Sequence, residues 1–206
     1  MIRTRLWLMS ALFVCASAQA QNGEWRTVYT VQAVTVEAAD TDTGFDRHRG
    51  TVALCGSLED VVGFAGAVEG YPDWVAHTLE SRRIEQSPER TVFYLRNSAP
   101  WPMRPRDMVY ELIPEFIDDH RVRVLMNGIP DALPPEAGVV RMELAEGSWL
   151  FRADDAGELE VQLSLYILPG RAPKGFANRR FAHMIGDTLA ALAERFPCST
   201  AMDAVR

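Results

Sequence analysis

Glu158 to Leu168 alternates without a break. Leu159, Val161, Leu163, Leu165 and Ile167 fall on one face, and Glu158, Glu160, Gln162, Ser164 and Tyr166 on the other. A strict period of two suits a strand with one face in an apolar core and the other toward water, the habit of antiparallel sheets. Immediately downstream the period changes. After Pro173, Lys174 to Phe196 takes helical spacing, with Phe181, Met184, Ile185, Thr188, Leu192 and Phe196 along one stripe. Arg179, Arg180, Asp187, Glu194 and Arg195 lie mostly on the other side, and Pro197 ends the run. A half-buried strand followed by a long amphipathic helix predicts an α+β fold in which the helix covers the apolar face of a sheet.

The rest of the chain is strand-rich. Trp25 to Glu37 alternates through Val28, Val31, Val34 and Val36, enough for one or two strands, and Phe45 to Leu54 forms another that ends at Cys55-Gly56. Ser57 caps a short helix with Glu59 and Asp60 in its first turn, where acids are favoured. That helix runs through Val61, Val62, Phe64 and Val68 until Gly70-Tyr71-Pro72 stops it, and Trp74 then anchors it to the sheet. A meander follows, with strands over 75–86, 90–97, 107–117, 121–127 and 139–151. Its turns carry Ser87-Pro88, Asp118-Asp119, Asn127-Gly128 and Asp154-Asp155. Pro130 to Gly138 is a long proline-rich loop. No repeat, low-complexity tract or linker divides the chain, so 21–198 reads as one domain and Ser199 to Arg206 as a loose tail.

Ala99 to Leu112 reads APWPMRPRDMVYEL. Its prolines bar helix, and the loop passes directly into an alternating strand with Arg106 and Asp107 at the junction. A charged pair at the mouth of an apolar strand face suits a cavity for a mostly apolar ligand with one polar end. It equally suits a surface turn pinned by an ion pair.

PWPMRPRDMVY resembles the signature of bacterial START domains, the lipid-transfer branch of the Bet v 1-like helix-grip superfamily. Three further stretches match in order: Asp73-Trp74 after a helix, PPEAGVVRMELAEGSW at Pro134 to Trp149, and LPGRAPKGFAN at Leu168 to Asn178. The resemblance spans roughly Trp25 to Phe196. It implies a curved antiparallel sheet wrapped around the long C-terminal helix, with an internal hydrophobic cavity between them. It further implies a lipid or other hydrophobic ligand, carried or sensed. Some animal sterol-binding members carry an acid–arginine pair inside the tunnel. Here Tyr110-Glu111-Leu112 and Phe93 stand near those positions, so the pair is missing and sterol specificity does not carry over.

On such a fold, alternation turns Phe93, Leu95, Arg106, Met108, Tyr110 and Leu112 inward, with Asp107 and Glu111 outward. Val140, Met142, Leu144, Leu163 and Leu165 face in from later strands, and Met184, Thr188 and Leu192 form the helix lid. A dry core would give the same pattern. Three methionines, Met108, Met142 and Met184, suit an adaptable wall. Ligand access requires the last helix, or the Pro130 to Gly138 loop expected beside it, to move.

Met1 to Ala20 has the form of a secretory signal. Arg3 and Arg5 precede the apolar run Leu6 to Ala16, and Ala18-Gln19-Ala20 offers a cleavage site. The mature protein is expected in the periplasm or outside the cell. Removing those two arginines takes the formal charge from −7 to about −9. An acidic chain with Lys174 as its single lysine excludes a nucleic-acid partner and predicts little pull toward anionic headgroups, so membrane contact is at most transient. Of the mature chain's two cysteines, Cys55 and Cys198 either bridge or stay free. The four histidines, His48, His77, His120 and His183, show no ligand spacing. No HExxH, GxSxG, Walker A or GxGxxG sequence is present, so the reading is a monomer without metal, cofactor or catalytic residues. The alternative is a helix-grip enzyme, for which His183 and Tyr110 are the acid–base candidates.

Overall fold

The structure is a computed structural model and describes residues 23–154 and 157–198. The signal segment and the tail from Ser199 lie outside them. Two strands, β1 (Arg26–Val31) and β2 (Val34–Ala39), form a hairpin that continues into β3 (Arg47–Cys55). Helix α1 (Leu58–Gly66) begins at Ser57, whose Oγ accepts from the Asp60 N–H at 3.0 Å. A 3₁₀ turn (Val68–Gly70) leads into the short helix α2 (Tyr71–Trp74). The strands β4 (Thr78–Gln86), β5 (Thr91–Asn97), β6 (Arg106–Asp118) and β7 (Arg121–Gly128) form the meander. They are followed by β8 (Val140–Arg141), β9 (Leu144–Ala153), β10 (Glu158–Leu168) and helix α3 (Lys174–Arg195). The sheet order is β1-β2-β3-β10-β9-β7-β6-β5-β4, antiparallel throughout, with β8 added parallel to the start of β6.

Two differences from the sequence reading have local causes. Gly70-Tyr71-Pro72 does not stop helical structure. Pro72 occupies the first turn of α2, where a missing N–H breaks no bond. The buried Tyr71 hydroxyl donates to the Ala65 carbonyl at 2.7 Å and folds α2 back on α1. The strand expected over 139–151 is two strands, because the backbone changes partner midway. The Met142 N–H donates to the Asp107 carbonyl of β6, and the Glu143 N–H donates to the Leu168 carbonyl of β10.

The core lies between α3 and the concave apolar face. Ala182, Ile185, Leu189 and Leu192 of α3 are buried with Val36 and Val52 of β2 and β3. Helix and sheet approach closely at Gly50, where an added Cβ would sit 2.5 Å from Ile185 Cγ2 and 2.7 Å from Leu189 Cδ1. Gly50→Ala should therefore lower the unfolding free energy by about 1–3 kcal/mol, read as a lower urea midpoint at unchanged slope. An unchanged midpoint would contradict this packing. At its far end α3 is tied down twice. The Cys55 N–H donates to the Phe196 carbonyl at 3.2 Å, and Cys55 and Cys198 form a disulfide.

Candidate ligand-binding site

Strands β5 and β6 set the wall of the site. Their inward faces carry Phe93, Leu95 and Asn97 beside Met108 and Tyr110, and the Phe93 and Tyr110 rings stack with centroids 5.5 Å apart. The opposite face is not solvent. Val92, Tyr94 and Val109 form a second buried cluster with Ile129 and Leu133. The outward placement of Asp107 therefore does not expose it. It points away from the concave face but is fully buried, and its partner is Arg141, not Arg106. Arg141 also donates to the carbonyls of Pro130, Leu133 and Pro134. The Pro130 to Gly138 loop is thus pinned to the outside of the sheet and does not flank α3 as a gate.

Two chambers lie between sheet and α3, each with about 60 Å3 of open space. The inner one is lined by Phe93, Leu95, Tyr110, Leu163, Leu165 and Thr188, together with Tyr71, Val75, Met126 and Trp149. The outer one is a mouth between the Ser98–Met103 segment, the Pro169–Ala172 segment and the first half of α3, and it includes Arg106 and Met142. Asn97, Ile167 and Met184 line both chambers. Thr188, the buried hydroxyl of the lid, is satisfied by accepting the Ala76 N–H at 3.1 Å.

Five of the expected lining residues stand elsewhere, and of these Val140 and Leu144 line neither chamber. Met108 and Leu192 are fully buried and line neither chamber, since the Met108 sulfur fills the space beside Gly128 and Leu192 packs in the core. Leu112 lines a separate hollow of about 420 Å3 beneath α1, shared with Val62, Val124, Trp149 and Phe151. Trp149 is the wall common to that hollow and the inner chamber.

No protein-family profile matches the chain. It is 22% identical over 176 residues to an uncharacterised protein of Pseudomonas aeruginosa, covering 84% of this chain and 87% of that one. Among solved structures, a STAR-related lipid transfer protein of Xanthomonas axonopodis superposes with a TM-score of 0.77 at 28% identity, over 83% of this chain and 97% of that one. This is a START-like domain. An aromatase/cyclase from Streptomyces shares the fold more distantly, with a TM-score of 0.50 at 14% identity over 72% of this chain and 92% of that one. Neighbours of the START-like domain therefore include both a lipid-transfer protein and an enzyme.

The mouth of the START-like domain holds residues that the sequence reading missed. Arg180, expected on the solvent side of α3, lines the mouth with His77, Asn97 and Ser98. The signal was present. Arg180 lies four residues before Met184 and four after Phe176, hence on their face. No acid stands three or four residues from it to pair with it on the helix. Its Nη2 donates to the Ser98 carbonyl at 2.8 Å and to the Ser98 hydroxyl at 3.2 Å. Arg106 donates to the carbonyls of Arg104 and Arg171.

The acid–base candidates are not brought together. Tyr110 lines the inner chamber, and burial holds its phenol well above the ordinary range, so at neutral pH it is a hydrogen-bond donor and not a base. His183 lines neither chamber and stacks on the Tyr29 ring with centroids 4.0 Å apart. The Tyr29 hydroxyl donates to Asp187 at 3.1 Å.

Proposed function

We propose that this START-like domain is a secreted or periplasmic protein that takes a lipid or other hydrophobic ligand between its sheet and α3, for transport or sensing. The observation that carries this reading is the apolar inner chamber, joined to a mouth by the shared walls of Asn97, Ile167 and Met184. The START-like fold supports it. The Cys55–Cys198 disulfide fits an oxidising compartment, as does the signal-like leader.

The chambers as they stand are small. A dry apolar cavity of roughly 150 Å3 suits a benzene-sized guest. Chambers of about 60 Å3 hold less than that. Loading requires the first half of α3 or its neighbouring segments to swing outward. α3 is clamped covalently at its Cys198 end, whereas its first half is held by the hydrogen bonds of Asn178 to Gly44 and Asp46 and of Arg180 to Ser98, which such a movement would break. Trp101 is 93% exposed on the Ser98–Met103 segment and Phe176 is 41% exposed on the first turns of α3. Arg104, Arg171, Lys174 and Arg179 stand exposed around them, and none has a carboxylate partner among the described residues. An acidic chain thus gathers cations and exposed aromatics at the mouth, the surface with which it would rest transiently on an anionic membrane while loading.

A fluorescent fatty-acid probe tests the reading. The wild-type protein should bind it in the micromolar range or tighter. Leu165→Trp fills the inner chamber and denies room to about two methylenes, so it should weaken binding about tenfold. Wild-type protein that takes up no probe, or a variant that binds it equally well, would overturn the proposal. Tyr110→Phe should leave binding within about threefold of wild type, a change worth under 1 kcal/mol. If the domain is instead an enzyme, that substitution would remove turnover while sparing binding.

A further inference from the structure

We propose that Arg106, Arg180 and Asn97 form an anion-recognition site where the mouth meets the inner chamber, and that the ligand is an amphiphile with a carboxylate or phosphate head. The inference rests on the hydrophobic-ligand reading and names the head that such a ligand would carry.

The first support is uncompensated charge. Both guanidinium groups line one small mouth. Each is held by neutral acceptors: Arg106 by the carbonyls of Arg104 and Arg171, Arg180 by Ser98. Neither has a carboxylate partner among the described residues. The contrast within the same fold is Arg141, whose guanidinium meets Asp107 through two hydrogen bonds. Arginine in a partly buried place is normally satisfied in that way. Here two cations are drawn together beside apolar walls, Met103, Met142, Ile167 and Met184 among them. Burial lowers the pKa of both, and Arg106 lowers that of Arg180 further, yet arginine stays charged at any working pH. An anion between them would relieve that repulsion, and low polarity around it would strengthen each bond.

The second support is independent of charge. The Asn97 amide nitrogen is buried without a hydrogen-bond partner. Buried donors are almost always satisfied, so an orphan in a cavity wall marks a position for an acceptor that arrives with the ligand. Asn97 lines both chambers, so a head bound there leaves its tail directed into the inner one. His77 completes the rim. Burial and the neighbouring Arg180 hold its pKa low, so it is neutral at pH 8 and adds no charge. A carboxylate or a phosphate oxygen accepts from planar guanidinium groups equally well, which leaves those two heads as the chemical class.

The test is a head-group series on one tail at pH 8 and below the micelle concentration: hexadecanoate, hexadecyl phosphate and hexadecanol, with inorganic phosphate as the tailless control. Wild-type protein should bind at least one charged amphiphile ten- to hundredfold more tightly than hexadecanol, and the better of the two names the head. Inorganic phosphate alone should bind weakly. The preference should fall below about threefold in the Arg106→Gln/Arg180→Gln variant, while hexadecanol affinity holds. The wild-type series is informative even if that variant does not fold. Hexadecanol binding as tightly as both charged ligands would overturn this inference and leave the carrier reading standing. A preference that persists in a folded double variant would overturn the assignment to these residues. Failure of all three amphiphiles to bind would overturn the carrier reading itself, and this inference with it.

Discussion

Replacing Arg141 by methionine should lower the unfolding free energy by about 3–5 kcal/mol, the cost of leaving a buried carboxylate unpaired. Asp107 and Arg141 have side chains only 1% and 12% exposed, and two hydrogen bonds of 3.0 and 3.1 Å join them. Arg141 also holds the Pro130 to Gly138 loop through three backbone carbonyls. One substitution therefore strands a charge and releases the loop that covers Val92, Tyr94 and Val109. Restoring neutrality with Asp107→Leu in the same chain should recover part of the loss, because the desolvated charge is then gone. Urea unfolding of the two single variants and the double variant gives the coupling. By contrast, Arg90→Ala should leave the urea midpoint nearly unchanged, since Arg90 and its partner Glu85 are largely exposed and Glu111 stands 3.6 Å away. An Arg141 loss as small as that for Arg90 would contradict the burial of the pair.

Loss of the Cys55–Cys198 disulfide should cost about 2–5 kcal/mol. The bridge spans 143 positions. Closing a loop of that length removes about 5 kcal/mol of unfolded-state entropy in the chain-entropy model, the upper end of what such bonds deliver. Paired alanines at both positions should lower the thermal midpoint to match reduced wild-type protein, and reductant should then have no further effect. Equal stability with and without reductant in the wild type would exclude a stabilising bridge. A functional consequence accompanies the loss. The bridge and the Cys55–Phe196 backbone bond hold one end of α3 to β3. Without the bridge, hydrogen bonds alone hold the helix at either end: Cys55 to Phe196 at one, and Asn178 to Gly44 and Asp46 at the other.

The elements with the clearest periodicity were the most legible. Glu158–Leu168 has the same bounds in sequence and structure, because a strand buried on one face writes its orientation into every second residue. The long C-terminal helix was legible for the same reason. The break at Met142 and Glu143 was not, since a chain that changes hydrogen-bond partners keeps the same apolar pattern. Parity placed Asp107 on the face opposite Met108 but is silent on whether a loop covers that face. Arg180 was hidden by the habit of assigning helical arginines to water. The site itself was half legible. Phe93, Leu95, Tyr110, Leu163, Leu165, Met184 and Thr188 line the inner chamber, while Arg106 and Met142 line the mouth. Met108 and Leu192 are packed solid. Wall and core residues share one sequence signature, and only the side-chain packing separates them.

Native mass spectrometry of the protein, secreted with its own leader into a bacterial periplasm and purified without detergent, probes the hydrophobic-ligand reading at its root. The expected result is a mass increment close to one amphiphile per chain, which solvent extraction releases and fragmentation identifies as carrying an anionic head. A bare protein mass, together with no uptake of hexadecanoate or hexadecanol at saturating concentration, would contradict it.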